Sequence, residues 1–197
     1  MRLLDVRRGT AVVCRGEPPA GVFAVATGLI NVALRGGGGA ERVLRFVGPG
    51  ETFCEAAALL GRASAVDAVA LADSTLAVLA AAPLRTLMGR DGALAQRVAT
   101  LLAERMLALL DEIEASELRP APERLASYLL SLARAADDGG RTARLPATKT
   151  LVASRLGMKK ETLSRLLHDF AARRMIAVSR RDIAILDRGA LQALARG

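Results

Sequence analysis

Residues 148–170 read TKTLVASRLGMKKETLSRLLHDF, and their pattern sets the fold. Leu151, Val152 and Leu156 recur at helical spacing, Gly157 interrupts them, and a second helical period starts near Lys159. Gly accepts the positive φ of a sharp turn, and the small Ala153 lets two helices approach closely. At about 100° per residue from Lys160, the side chains of Leu163, Leu166, Leu167 and Phe170 share one arc, roughly 240° to 340°. Lys160, Ser164, His168, Glu161 and Arg165 fall on the opposite side, within about 0° to 140°. An amphipathic helix with a merely solvated polar face gives the same period; the preceding helix and the glycine turn make this stretch more specific, a helix-turn-helix. The polar face suits a DNA major groove. Arg bonds guanine bidentately, Glu accepts from cytosine, and Ser can serve either.

Charge points the same way. The 197 residues carry a net +8. Residues 119–197 hold 16 Lys and Arg against 7 Asp and Glu, a net of +9, whereas residues 1–118 hold 12 against 13, a net of −1. A polyanion partner is therefore expected for the C-terminal part alone. A basic membrane-surface helix competes, but the second helix shows mixed signs and the chain has no Trp. No secretory leader and no 18-residue apolar run is read, so the expectation is a cytoplasmic protein without a membrane partner. Cys14 and Cys54 have no zinc-site spacing. A single histidine and no nucleophile–base or metal constellation argue against an enzyme.

Along the chain, short strands are predicted at 2–6, 11–15, 22–26, 29–34, 42–47, 65–71 and 75–79, separated by Gly- and Pro-rich turns, with a loose hairpin tip at 36–39. Such strands build a small antiparallel barrel or roll. A short helix follows over 83–88 and a long one over 93–118. In the long helix Ala95, Ala99, Leu102, Met106, Leu109, Ile113 and Ser116 recur at 4-3 spacing, a heptad seam suited to a parallel two-stranded coiled coil. The competing use is packing on the chain's own roll, for which Leu94, Val98 and Leu101 offer a second face. Pro120 and Pro122 mark a boundary. A helix over 123–134, a loop at 137–140 and a hairpin wing at 176–178 and 183–186 complete the chain, with Arg180 and Arg181 at the wing tip placed for phosphates. Three segments result: 1–91, 92–118 and 119–197. The fold class is α+β: an antiparallel β-roll, a long dimerisation helix and a winged helix-turn-helix.

Roll, heptad helix and winged helix in this order resemble the CRP/FNR family of bacterial transcription regulators over nearly the whole chain. Residues 145–170, LPATKTLVASRLGMKKETLSRLLHDF, with RDIAILD at 181–187, are similar to the Dnr subgroup of denitrification regulators. The family's leading helix is missing before the first strand, as a misplaced start codon would leave it. The resemblance implies a homodimer on double-stranded DNA, with RNA polymerase as a partner. Glu161, Ser164 and Arg165 match the E-x-x-S-R pattern with which FNR-type members read a TTGAT-like half-site, so a near-palindromic operator is expected. Lys160 stands where other members place Arg or a small residue, and is expected on phosphate or a base edge. Lys149, Lys159, Thr162, His168, Arg180 and Arg181 complete the candidate DNA contacts.

The family's effector site maps onto Phe53, Cys54, Glu55, Val66 and Asp67. Its Gly-Glu becomes Cys54-Glu55, and its phosphate-gripping Arg-Ser becomes Val66-Asp67. A carboxylate repels a cyclic phosphate and the bidentate clamp is lost, which argues against cyclic AMP; a register shifted to Arg62 would restore the clamp. The Dnr resemblance implies a nitric-oxide response through haem. Cys54, after a Phe, stands where a carbon-monoxide-sensing member places a haem-ligating Cys, although the His expected two residues later is Ala56. The competing reading of Cys54, and the reading adopted for Cys14, is a thiol packed as a small hydrophobe. A cyclic-nucleotide-responsive regulator, an effector-independent regulator and a cyclic-nucleotide module that binds no DNA stay open as alternatives. In the regulators, a ligand in the roll would shift the paired long helices and so the spacing of the recognition helices.

Overall fold

The computed structural model describes residues 1–36, 41–134 and 140–196. The loops expected at 36–39 and 137–140 lie, but for Gly36 and Gly140, outside them. Two compact units divide the chain, Met1–Leu109 and Leu110–Gly197.

The first unit runs β1 (Arg2–Val6), β2 (Ala11–Val13), β3 (Val22–Thr27), β4 (Ile30–Arg35), β5 (Glu41–Val47), β6 (Thr52–Phe53), α1 (Glu55–Leu60), β7 (Asp67–Ala70), β8 (Ser74–Leu79) and α2 (Ala81–Arg90), and then the start of the long helix α3 (Gly92–Leu118). Two four-stranded antiparallel sheets form, ordered β1-β8-β3-β6 and β2-β7-β4-β5. The two-residue period does the sorting: along β8 burial alternates strictly, with Ser74, Leu76 and Val78 inward. Between the sheets, Phe23 and Phe53 stack with centroids 4.9 Å apart among Val25, Ile30, Val47 and Leu76. Gly21 is required by close approach, since a Cβ there would lie 2.1 Å from the Leu79 carbonyl oxygen.

Several strand ends differ from the sequence reading by one or two residues, two of them for a visible local reason. β2 stops at Val13 because the Arg15 N–H donates to Asp67 Oδ1 instead of a ladder. β7 starts only at Asp67 because Ser64 and Val66 close a tight turn, Ser64 Oγ donating to the Val66 carbonyl and accepting from its N–H. β5 begins one residue early, at Glu41. The six-residue helix α1 and the two-residue strand β6 had no counterpart in the sequence reading.

Helix α3 is continuous for 27 residues and none of them is buried. Leu94 packs on Val22, Ala58 and Leu84 of the roll unit, as its second apolar face suggested. The seam is left outward: Met106, Leu109 and Ile113 are 59, 48 and 58 % exposed.

The second unit contains α4 (Ala121–Arg134), β9 (Thr142–Arg144), α5 (Lys149–Arg155), α6 (Lys160–Ala172), β10 (Ile176–Ser179), β11 (Asp182–Ile185) and α7 (Arg188–Arg196). α4 starts two residues before its predicted position because Pro122 is tolerated in the first turn, where its missing N–H would have no helical partner. Leu125, Ala126, Leu129, Leu130 and Ala133 form its buried face. Strand β9, absent from the sequence reading, completes a three-stranded sheet ordered β10-β11-β9. Val152, Ala153, Leu163, Leu167 and Phe170 fill the core beside Ile176, Ile183 and Leu191.

Candidate nucleic-acid interface

Helix α5 opens on Thr148, whose side chain accepts from the Leu151 N–H. It closes on Gly157 at φ 62. The Met158 N–H reaches the Ala153 carbonyl and the Gly157 N–H reaches the Ser154 carbonyl, so the end is a Schellman turn. This is the physical reason for glycine between the two helices. α6 ends in the same way, through Met175 to Phe170 and Arg174 to Ala171, but with Arg174 in the left-handed position at φ 55.

α6 buries Leu163, Leu167 and Phe170 and turns Lys160, Glu161, Arg165 and His168 to solvent, with Thr162 and Ser164 half-exposed. The exposed Lys159 is its N-cap, without a side-chain capping bond. Among the described residues, none of Lys159, Lys160, Glu161 and Arg165 enters an ion pair. Lys149 is half-exposed at the start of α5. Of the sequence-predicted set, all but Arg180 and Arg181 are thus carried on the helix-turn-helix.

The wing is more selective than expected. Its turn is two residues, with Ser179 paired to Asp182 and Arg180 at φ 55. Arg180 is exposed. Arg181 instead folds back, Nε donating to the Leu145 carbonyl at 3.0 Å and Nη2 to that of Pro146. Those carbonyls flank β9, so Arg181 braces the loop before α5, and this geometry removes its guanidinium from the wing tip. Arg144 and Asp182 pair across the neighbouring strands at 3.4 Å.

Beneath α5, Arg155 pairs with Glu112 near the end of α3. Burial pushes the Tyr128 phenol up to about 12, with Arg155 pulling it down. Sequence reasoning also missed Arg124 of α4. Its Nε donates to the Leu156 carbonyl at 3.0 Å, its Nη2 to that of Gly157 at 3.4 Å and its Nη1 to that of Arg119.

In the first unit, the residues expected around an effector already have partners. Glu55 is 8 % exposed; its Oε1 accepts from Thr52 Oγ1 at 2.5 Å and lies 3.4 Å from Arg105 Nη2. Arg105 Nη2 also donates to the Thr52 carbonyl, as does Arg45. Asp67 accepts from the Arg15 N–H and lies 3.8 Å from Arg35. Phe53 is core, and Val66 packs against that core. Arg62 is exposed, in the turn after α1. Cys54 caps α1 in a left-handed conformation and leans on the same core. Burial first, and then Glu55, push its thiol up to about 11, against a lowering hydrogen bond from Ser64. Haem finds few donors in this set: the Cys54 thiol is half-buried against the core, and the chain's one imidazole, His168, sits on α6. No helix among the described residues is long and apolar enough to cross a membrane.

Comparison with known proteins matches residues 3–91 to the cyclic nucleotide-binding domain and residues 123–194 to the Crp-like helix-turn-helix domain. The chain is 27 % identical to the cyclic AMP receptor protein of Thermus thermophilus, over 96 % of this chain and 86 % of that one. It is 29 % identical to the nitrogen fixation regulation protein FixK of Rhizobium meliloti, over 94 and 83 %. FixK2 from Bradyrhizobium japonicum has the same fold, with a TM-score of 0.89 at 23 % identity, over 98 % of this chain and 96 % of that structure. These homologues are regulators, not enzymes. With a cyclic nucleotide-binding fold at one end, a Crp-like helix-turn-helix at the other and relatives spanning both, the chain belongs to the CRP/FNR family of DNA-binding transcription regulators.

Proposed function

We propose that the protein acts as a homodimer on a TTGAT-like palindrome, as a regulator that works together with RNA polymerase. The observation that carries this reading is the uncommitted face of α6, where Lys160, Glu161, Ser164 and Arg165 are available for base edges and phosphates. Lys149, Lys159, Thr162, His168 and Arg180 supply flanking contacts. The outward seam of α3 supports pairing with a second copy: Ala99, Leu102, Met106, Leu109 and Ile113 repeat at heptad spacing, and an apolar stripe this exposed is costly in a lone chain. Two copies then present two recognition helices about 34 Å apart, one turn of the duplex.

For control of the regulator, an effector-independent roll is the better-supported reading. Glu55 is already bonded by Thr52 and Arg105, and Asp67 stands beside Arg35 where a cyclic phosphate would need a cation. The relative named as a cyclic AMP receptor protein makes cyclic AMP the ligand to test first. The Dnr-like reading, nitric oxide sensed through haem on Cys54, has against it the lack of an imidazole beside that half-buried thiol, since position 56 is Ala and the one histidine lies on α6.

Titrating labelled duplexes into the full chain, with sedimentation in parallel, tests the proposal. The palindrome should be bound by a dimer, more tightly than random duplex, with affinity falling steeply as salt rises and unchanged by cyclic AMP. Met106→Glu should abolish dimerisation and operator binding together. A monomeric Met106→Glu protein with intact operator affinity would remove the seam from the account.

A further inference from the structure

One guanidinium links two helix ends in the DNA-binding unit. Arg119 follows the last residue of α3, and Leu156 and Gly157 form the end of α5 and the turn into α6. Helix ends leave carbonyls without intrahelical partners and carry the negative end of the helix dipole. Arg124 answers both ends at once, through Nη1 to Arg119, Nε to Leu156 and Nη2 to Gly157. A planar fork with fixed donors suits this task; the single ammonium of Lys cannot reach three carbonyls spread over two helix ends. A second link runs parallel to it, from Glu112 on α3 to Arg155 on α5.

We infer that Arg124 is a positioning residue for operator recognition: it fixes the start of α6 relative to the end of α3. Its contacts fall on the turn just before Lys159 and Lys160, so a change there re-aims Glu161, Ser164 and Arg165 without touching any of them. Base readout depends on placement within a few tenths of an ångström, whereas phosphate attraction tolerates displacement. Loss of the fork therefore costs discrimination rather than general DNA affinity. The inference rests on the reading that this chain recognises a specific operator.

The test measures, on one preparation of full-length protein, affinity for the TTGAT palindrome and for a random-sequence duplex of equal length. Their ratio does not depend on the fraction of chains that are active. Arg124→Lys should lower the ratio about tenfold, a loss of roughly 1.4 kcal/mol in specific binding, with random-duplex affinity and its salt dependence unchanged. Arg134→Lys, at the exposed end of α4, should leave the ratio as it is. Should Arg124→Lys fail to fold, Arg124→Gln, which retains a donor amide, carries the same expectation. An Arg124 variant with the wild-type ratio overturns the positioning role, as do equal losses on both duplexes. A wild-type chain that does not distinguish the palindrome from random duplex overturns instead the operator reading beneath it.

Discussion

Three carboxylates of the roll, Glu51, Glu55 and Asp67, and the solvent face of α6 treat charge in opposite ways. In the roll, Glu55 meets Arg105, Asp67 meets Arg35, and Glu51 meets Arg45. On α6, none of Lys160, Glu161 and Arg165 enters an ion pair among the described residues. Charges answered internally stabilise a shape, and charges left open wait for a partner that brings its own. A recognition helix with open charges suits DNA, while the carboxylates beside α1 and β7 of the roll are already answered by arginines of the same unit.

The largest effect should come from opening the closed side. Glu55→Ala leaves the partly buried Arg105 guanidinium without its carboxylate, and breaking such a pair costs about 3 kcal/mol. Urea unfolding should show it, with cyclic AMP giving no rescue; stability unchanged would mean that solvent replaces Glu55 at no cost. On the open side, Arg165→Ala should weaken operator binding by about 1–3 kcal/mol and relax the preference for guanine, with no loss of stability. Equal weakening on random DNA would make Arg165 a phosphate contact. The smallest effect concerns Cys54. Its thiol is raised from 9.0 to about 11 by folding. Between those values the unfolded chain has lost the proton that the folded chain keeps, so stability falls as pH rises from 9 to 11 and is unaffected below 9. Cys54→Ala should flatten the decline in that window, and an equally steep decline would place its origin elsewhere.

The open side was largely legible in the sequence because its signals are local. Leu163, Leu167 and Phe170 declare one face of α6 by period, and Gly157 declares the turn by its φ. The closed side was not, because its links join distant residues: Glu55 and Arg105 are fifty positions apart, and no spacing rule connects them. The helix α1 escaped because its cap is a cysteine in the left-handed region, not the Ser, Thr, Asp or Asn that usually marks a start. Arg181 was placed at the wing tip by sequence, but its long side chain reaches back to Leu145 and Pro146. Arg124 lay inside a correctly read helix, yet its carbonyl partners on either side gave no residue-type signal.

The two-residue wing turn limits how this reader can diversify. Ile183 is fully buried and pairs with Val178 across the hairpin. One inserted residue that slipped this register would swing Ile183 outward and bring a neighbour into its slot. Retargeting at that tip must therefore proceed by exchange of side chains at constant loop length, with Arg180 open to residues that accept its left-handed backbone and Arg181 held by its structural duty.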